Sequence, residues 1–180
     1  LPSPEGGGNG PRMDLAAARQ LPVALRSDAG RITAVRHGRD LIAVEPGDTT
    51  AHCFGLAVDI GTTTVVGSLL DLRTGHEVAV AARTNPQLTY GDDVVSRISY
   101  AGEPEGLQRL RARIIECLND ILDELCATTA IPADSIYQAV VDGNTTMTHL
   151  FLGVDPASIA QMPYPAVIRH AMSAAAEEMG

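Results

Sequence analysis

Lysine and tryptophan are absent from the 180 residues, and aromatic side chains make up 3% of them. All thirteen basic residues are therefore arginines, set against 22 acidic ones for a formal net charge of −9. A nucleic-acid surface needs clustered positive charge interleaved with aromatic faces, so that class of partner is excluded. No apolar run approaches the roughly 20 residues a membrane span takes, and no basic-then-apolar signal segment opens the chain. A cytoplasmic protein without a membrane partner is the expectation. The 45% hydrophobic and 19% charged residues lie in the globular range. The length suffices for one well-buried domain plus a small appendage.

Cysteine is scarce as well. Cys53, Cys117 and Cys126 form neither a close pair nor a ligand-spaced set, which excludes a disulfide framework or an iron–sulfur site in this stretch. Cys117 and Cys126 fall within a helical pattern and read as small core hydrophobes. None of the five histidines stands at ligand spacing from another histidine or a cysteine.

What is present divides into three stretches. Residues 1–12, rich in Pro and Gly, read as a flexible leader or linker. Residues 13–52 read as a small α+β appendage. It has a helix over Met13–Gln20 capped near Asp14, then a hairpin of strands Arg31–Arg36 and Leu41–Val44. Residues 53–180 read as an α/β domain. Strands at Leu56–Ile60, Thr64–Leu70 and Glu77–Arg83 have short connections and must form an antiparallel meander. Gly91-Asp92-Asp93 starts a short helix that runs through Ile98. A long one covers Glu105–Ala127, with Leu107, Leu110, Ile114, Leu118, Ile121, Leu122 and Leu125 along one face. Strand Ser135–Val141 can then pair parallel to an earlier strand through a crossover. A tight turn at Asp142-Gly143-Asn144 leads into a helix over Thr145–Leu152. This order, β-β-β-α-β-α, is that of a ribonuclease H-like domain.

The chemistry concentrates in "VDIGTTT". Asp59 sits in an apolar strand, and Gly61, Thr62, Thr63 and Thr64 follow it. A glycine turn can aim backbone N–H groups at a phosphate, with hydroxyls adding donors. A carboxylate beside a phosphate needs a cation between them, and Mg²⁺, which prefers oxygen ligands, suits that place. Asp59 would hold Mg²⁺, directly or through water, while Gly61 to Thr64 hold phosphates. An ordinary hairpin turn remains the other reading. "VVDGNTTM" repeats the layout as a second candidate turn, Asp142, Gly143 and Asn144, although Asn144 or Thr145 also suits plain helix capping.

The first motif resembles the first phosphate motif of the acetate and sugar kinase, heat-shock chaperone and actin superfamily. Three blocks together, "GLAVDIGTTTVVGSLLDLRTG", "NPQLTYGDDVVSRISYA" and "VVDGNTTMTHLFLGVDP", resemble the ATPase-like domain of the reductive activators of corrinoid-dependent methyltransferases. "MPYPAV", from Met162 to Val167, also fits. The resemblance implies the first, ribonuclease H-like lobe of an actin-like ATPase fold in residues 53–180, and the end of a small middle domain in 13–52. It implies ATP and Mg²⁺ as cofactors and a corrinoid protein as partner, returned from Co(II) to Co(I) by uphill electron transfer. A homodimer of the intact protein is compatible with it. The electron-carrying 2Fe–2S domain and the second lobe would lie outside this chain, leaving an incomplete nucleotide site and a fragment inactive alone.

Within the middle block, Asp92, Asp93, Ser96 and Arg97 have two readings. One is a capped helix with Val94, Val95 and Ile98 packed down and Arg97 in a local ion pair. The other is a surface that senses the corrinoid partner or the nucleotide state. Two alternative functions carry the same first turn: a metabolite kinase of the superfamily, and a non-catalytic protein-binding scaffold. No residue stands out as a catalytic base.

Overall fold

The computed structural model describes residues 12–179. The expected leader falls outside the described residues except for Arg12, which is in a strand. The chain divides into two compact units, Leu1–His52 and Cys53–Gly180.

In the first unit, strands β1 (Arg12–Met13), β2 (Ile32–His37) and β3 (Asp40–Pro46) form a sheet in the order β1-β3-β2. Helix α1 spans Leu15–Arg26, and the carboxylate of Asp14 caps it by accepting the Ala17 N–H at 2.7 Å. It runs a turn and a half beyond the expected end at Gln20 and carries Pro22 inside it. Proline in a helix forfeits one backbone hydrogen bond. Packing offsets the loss here: Ala17 and Ala24, seven residues apart on one face, are buried with Val44 in a small core. The Gln20 side chain adds an anchor by accepting the Val44 N–H at 2.8 Å.

The second unit is built on a four-stranded sheet in the order β6-β5-β4-β7. Strands β4 (Phe54–Ile60), β5 (Thr64–Asp71) and β6 (His76–Thr84) make the expected antiparallel meander. Helices α2 (Val94–Ala101) and α3 (Gly106–Thr129) follow. Strand β7 (Ile136–Gly143) then returns parallel to β4, and helix α4 (Thr145–Leu152) leaves its end.

Period-two alternation divides the sheet into two faces. Leu56, Val58, Ile60, Val65 and Leu69 point into the core, where Leu110, Ile114, Cys117, Ile121 and Leu125 of α3 meet them. Each fully buried aliphatic side chain of this set contributes about 1.5–3 kcal/mol relative to exposure. Gly67 lets α3 approach closely, since a Cβ there would lie 2.5 Å from the Ile121 methyl. Cys126 is only half-buried, off the main stripe. On the opposite face Asp59 is exposed, as are Val80 and Val140. The carboxylate that interrupts the apolar run of β4 therefore points away from the core.

Candidate phosphate and cation site

The β4–β5 turn is closed by its own glycine. Gly61 N–H donates to the Thr64 carbonyl at 3.0 Å, and a Cβ on Gly61 would sit 2.6 Å from that oxygen. This corrects one expectation. The Gly61 amide is spent inside the turn and does not face a ligand; the glycine is required by the close approach of Thr64.

The other peptide groups of the turn have a common orientation. The Gly61 carbonyl accepts from Asn85 Nδ2 at 2.8 Å, Thr62 from Arg97 Nη2 at 2.6 Å, and Thr63 from the Asn85 N–H at 2.8 Å. Three consecutive carbonyls are thus held from the buried side. In a trans peptide the N–H points opposite its carbonyl, so the N–H groups that follow face outward. Among the described residues, no hydrogen bond is donated by the amides of Thr62 and Thr63.

Arg97 and Asn85 are both fully buried. Arg97 also donates from Nε to the Gly91 carbonyl at 2.9 Å and from Nη1 to Gln87 Oε1 at 3.4 Å and Met147 Sδ at 3.3 Å. All of these acceptors are neutral. No carboxylate lies within ion-pair distance of Arg97 among the described residues. Burial pushes its guanidinium down from the usual range, and the more distant charges of Asp92 and Asp93 pull it back up. The surface role and the local ion pair expected for Arg97 are both corrected: its helix face turns it inward.

Its neighbours in the block stay outside. Asp93 is the N-cap of α2. Its carboxylate accepts the Ser96 N–H at 2.7 Å, and Ser96 Oγ accepts the Asp93 N–H at 3.2 Å. The Ser96 backbone bond, followed by the Ser96 hydroxyl, holds the Asp93 carboxyl below its ordinary value of 3.8. Asp92 is exposed, and so is Val95, which was expected to pack down.

The second motif lies beside the first. In the parallel register Asp59 stands opposite Asp142, and Ile60 opposite Gly143. Adjacent strands run about 5 Å apart, so the two exposed carboxylates are near neighbours on the same face. Asp142 and Gly143 finish β7 rather than forming a free turn. Asn144 is the N-cap of α4, accepting the Met147 N–H at 3.0 Å. Its amide reaches across to Thr62 Oγ1 at 3.2 Å and ties the two motifs together. The sheet and its crossover thus gather Asp59, Gly61–Thr64 and Asp142–Asn144 at one end, with Arg97 behind them. Sequence reasoning missed Asn85 and Gln87. The only signal for them was a polar pair flanking a proline at the end of a strand.

Comparisons with known proteins match both units. A family described as "RACo linker region" matches residues 4–51, and one described as "RACo middle region" matches residues 54–180. A protein of Eubacterium limosum described as "Corrinoid activation enzyme RamQ" is 41% identical over 121 residues, covering 67% of this chain and 20% of its own length. A solved structure described as "Reductive activator for corrinoid,iron-sulfur protein" superposes with a TM-score of 0.76 at 36% identity, over 89% of this chain and 26% of that one. The chain therefore spans about a fifth of the curated relative and a quarter of the solved one.

Proposed function

This chain belongs to the RACo family of corrinoid reductive activators, and we propose that its Cys53–Gly180 unit binds the phosphates of a magnesium nucleotide within an ATP-dependent activator. The observation that carries the reading is the convergence of Asp59 and Asp142 beside the outward amides of Thr62 and Thr63. Like charges on adjacent strands repel. A divalent cation between them removes the repulsion and allows an anionic phosphate to approach. Mg²⁺ is commonly bound through one or two carboxylates, with phosphate oxygens and water completing its shell. Two carboxylates fit that pattern. A cage of three or more protein ligands is absent among the described residues, and this site does not need one.

In this reading Asp59 and Asp142 hold the cation, the Thr62 and Thr63 amides and the threonine hydroxyls orient phosphate oxygens, and Asn144 fixes the spacing of the two motifs. The bound nucleotide would supply the free energy for reducing a Co(II) corrinoid partner to Co(I). The three-stranded meander, crossover helix and parallel strand are the order of the first lobe of an actin-like ATPase. The second lobe and the 2Fe–2S domain would lie elsewhere in the full-length protein. The exposed Asp92 and Asp93 edge of α2 is left for the corrinoid protein.

The test uses the full-length protein, a Co(II) corrinoid protein, a reductant, and Mg-ATP. Co(I) absorbance is expected only with ATP present, and Asp59→Ala should abolish it together with Mg-ATP binding. Nucleotide binding without Co(I) would favour a metabolite kinase; no nucleotide binding would favour a scaffold.

A further inference from the structure

Burying an ionised guanidinium without a counter-charge is costly, and most buried arginines face a carboxylate. Arg97 has none within ion-pair distance. Four atoms from three separate stretches of chain supply neutral acceptors instead: Gly91 and Gln87 before α2, Met147 on α4, and Thr62 in the phosphate turn. The shortest of these bonds, 2.6 Å, goes to the Thr62 carbonyl. That peptide group continues directly into the Thr63 N–H, which points the other way. A positive charge on the carbonyl side polarises the peptide and strengthens its N–H as a donor to an anion.

We propose that Arg97 is a positioning residue for anionic phosphate: through the Thr62 carbonyl it aims the Thr63 amide outward and supplies, from behind the turn, the positive charge that the phosphate balances. The proposal rests on the nucleotide reading above and adds to it a residue that never touches the ligand. Asn85 performs the uncharged part of the same task at Gly61 and Thr63.

The experiment is calorimetric titration of the full-length protein with ATP, ADP and AMP in Mg²⁺, for wild type, Arg97→Lys and Arg97→Met. Arg97→Met should weaken ATP binding about tenfold or more. The loss should shrink from ATP to ADP to AMP, and Arg97→Lys, which keeps the charge, should lose less. Equal losses for all three nucleotides, with Lys no better than Met, would mean a purely structural role and overturn the proposal. Should the variants fail to fold by circular dichroism, wild type labelled with ¹⁵N-arginine decides the matter. The Arg97 Nε–H resonance is expected to shift on adding Mg-ATP. Bound ATP with that resonance unmoved would overturn the proposal. A wild type that binds none of the nucleotides would instead remove the nucleotide reading on which it rests.

Discussion

Asp93 and Arg97 lie four residues apart, one at the exposed start of α2 and the other fully buried. Their chemistry divides accordingly. The Asp93 carboxylate has a lowered pKa because the Ser96 amide and hydroxyl bond to its charged form. A group whose folded pKa is lowered stabilises the fold above its ordinary pKa, and that stability is lost as pH falls through the lowered value. Asparagine caps a helix about as well as aspartate but does not titrate in this range. Asp93→Asn is therefore expected to flatten the fall in stability as pH drops through and below the ordinary carboxylate value of 3.8, read by urea unfolding at several pH values. An unchanged profile would mean that other carboxylates, such as the similarly lowered Asp48 and Asp71, dominate acid sensitivity.

At the scale of elements, the fit of α3 on the sheet depends on one missing side chain. Gly67 stands under Ile121 with ordinary strand geometry, so its requirement is space rather than an unusual backbone. Gly67→Ala would force the Ile121 methyl aside in a filled core, costing about 1–3 kcal/mol. Chemical denaturation should show a lower midpoint with an unchanged slope. Helix α4 is fixed differently. The fully buried ring of His149 donates from Nδ1 to the Thr145 carbonyl at 2.7 Å, and its Nε2 accepts the amides of Val167 and Ile168 at 3.2 and 3.3 Å. These three bonds tie the segment after α4 back onto the helix.

For the whole molecule, the larger unit carries its own core, from Phe54 through Leu150. A polypeptide of residues 53–180 is expected to unfold in a single cooperative transition without the first unit. A broad, non-cooperative melt would show that the first unit is needed for its stability. No helix among the described residues is long and apolar enough to cross a membrane.

Several features were legible in the chain itself. The heptad-like spacing of Leu110, Ile114, Ile121 and Leu125 fixed both α3 and its buried face, because a helix returns to the same side every three or four residues. The short links at 61–63 and 72–75 imposed an antiparallel meander, since parallel strands cannot be joined so briefly. The residues proposed for phosphate and cation also stood out, as polar groups at the end of an apolar strand. Tertiary structure decided what those residues have available. The Gly61 amide is consumed by Thr64, a contact local pattern does not reveal. Asp59 meets Asp142, 83 positions away by their numbers, only because β7 pairs parallel to β4. Arg97 looked like a surface charge because it follows two aspartates. Its inward direction depends on where α2 packs, and only the folded chain brings the Thr62 carbonyl, Gln87 and Met147 close enough to accept its hydrogen bonds.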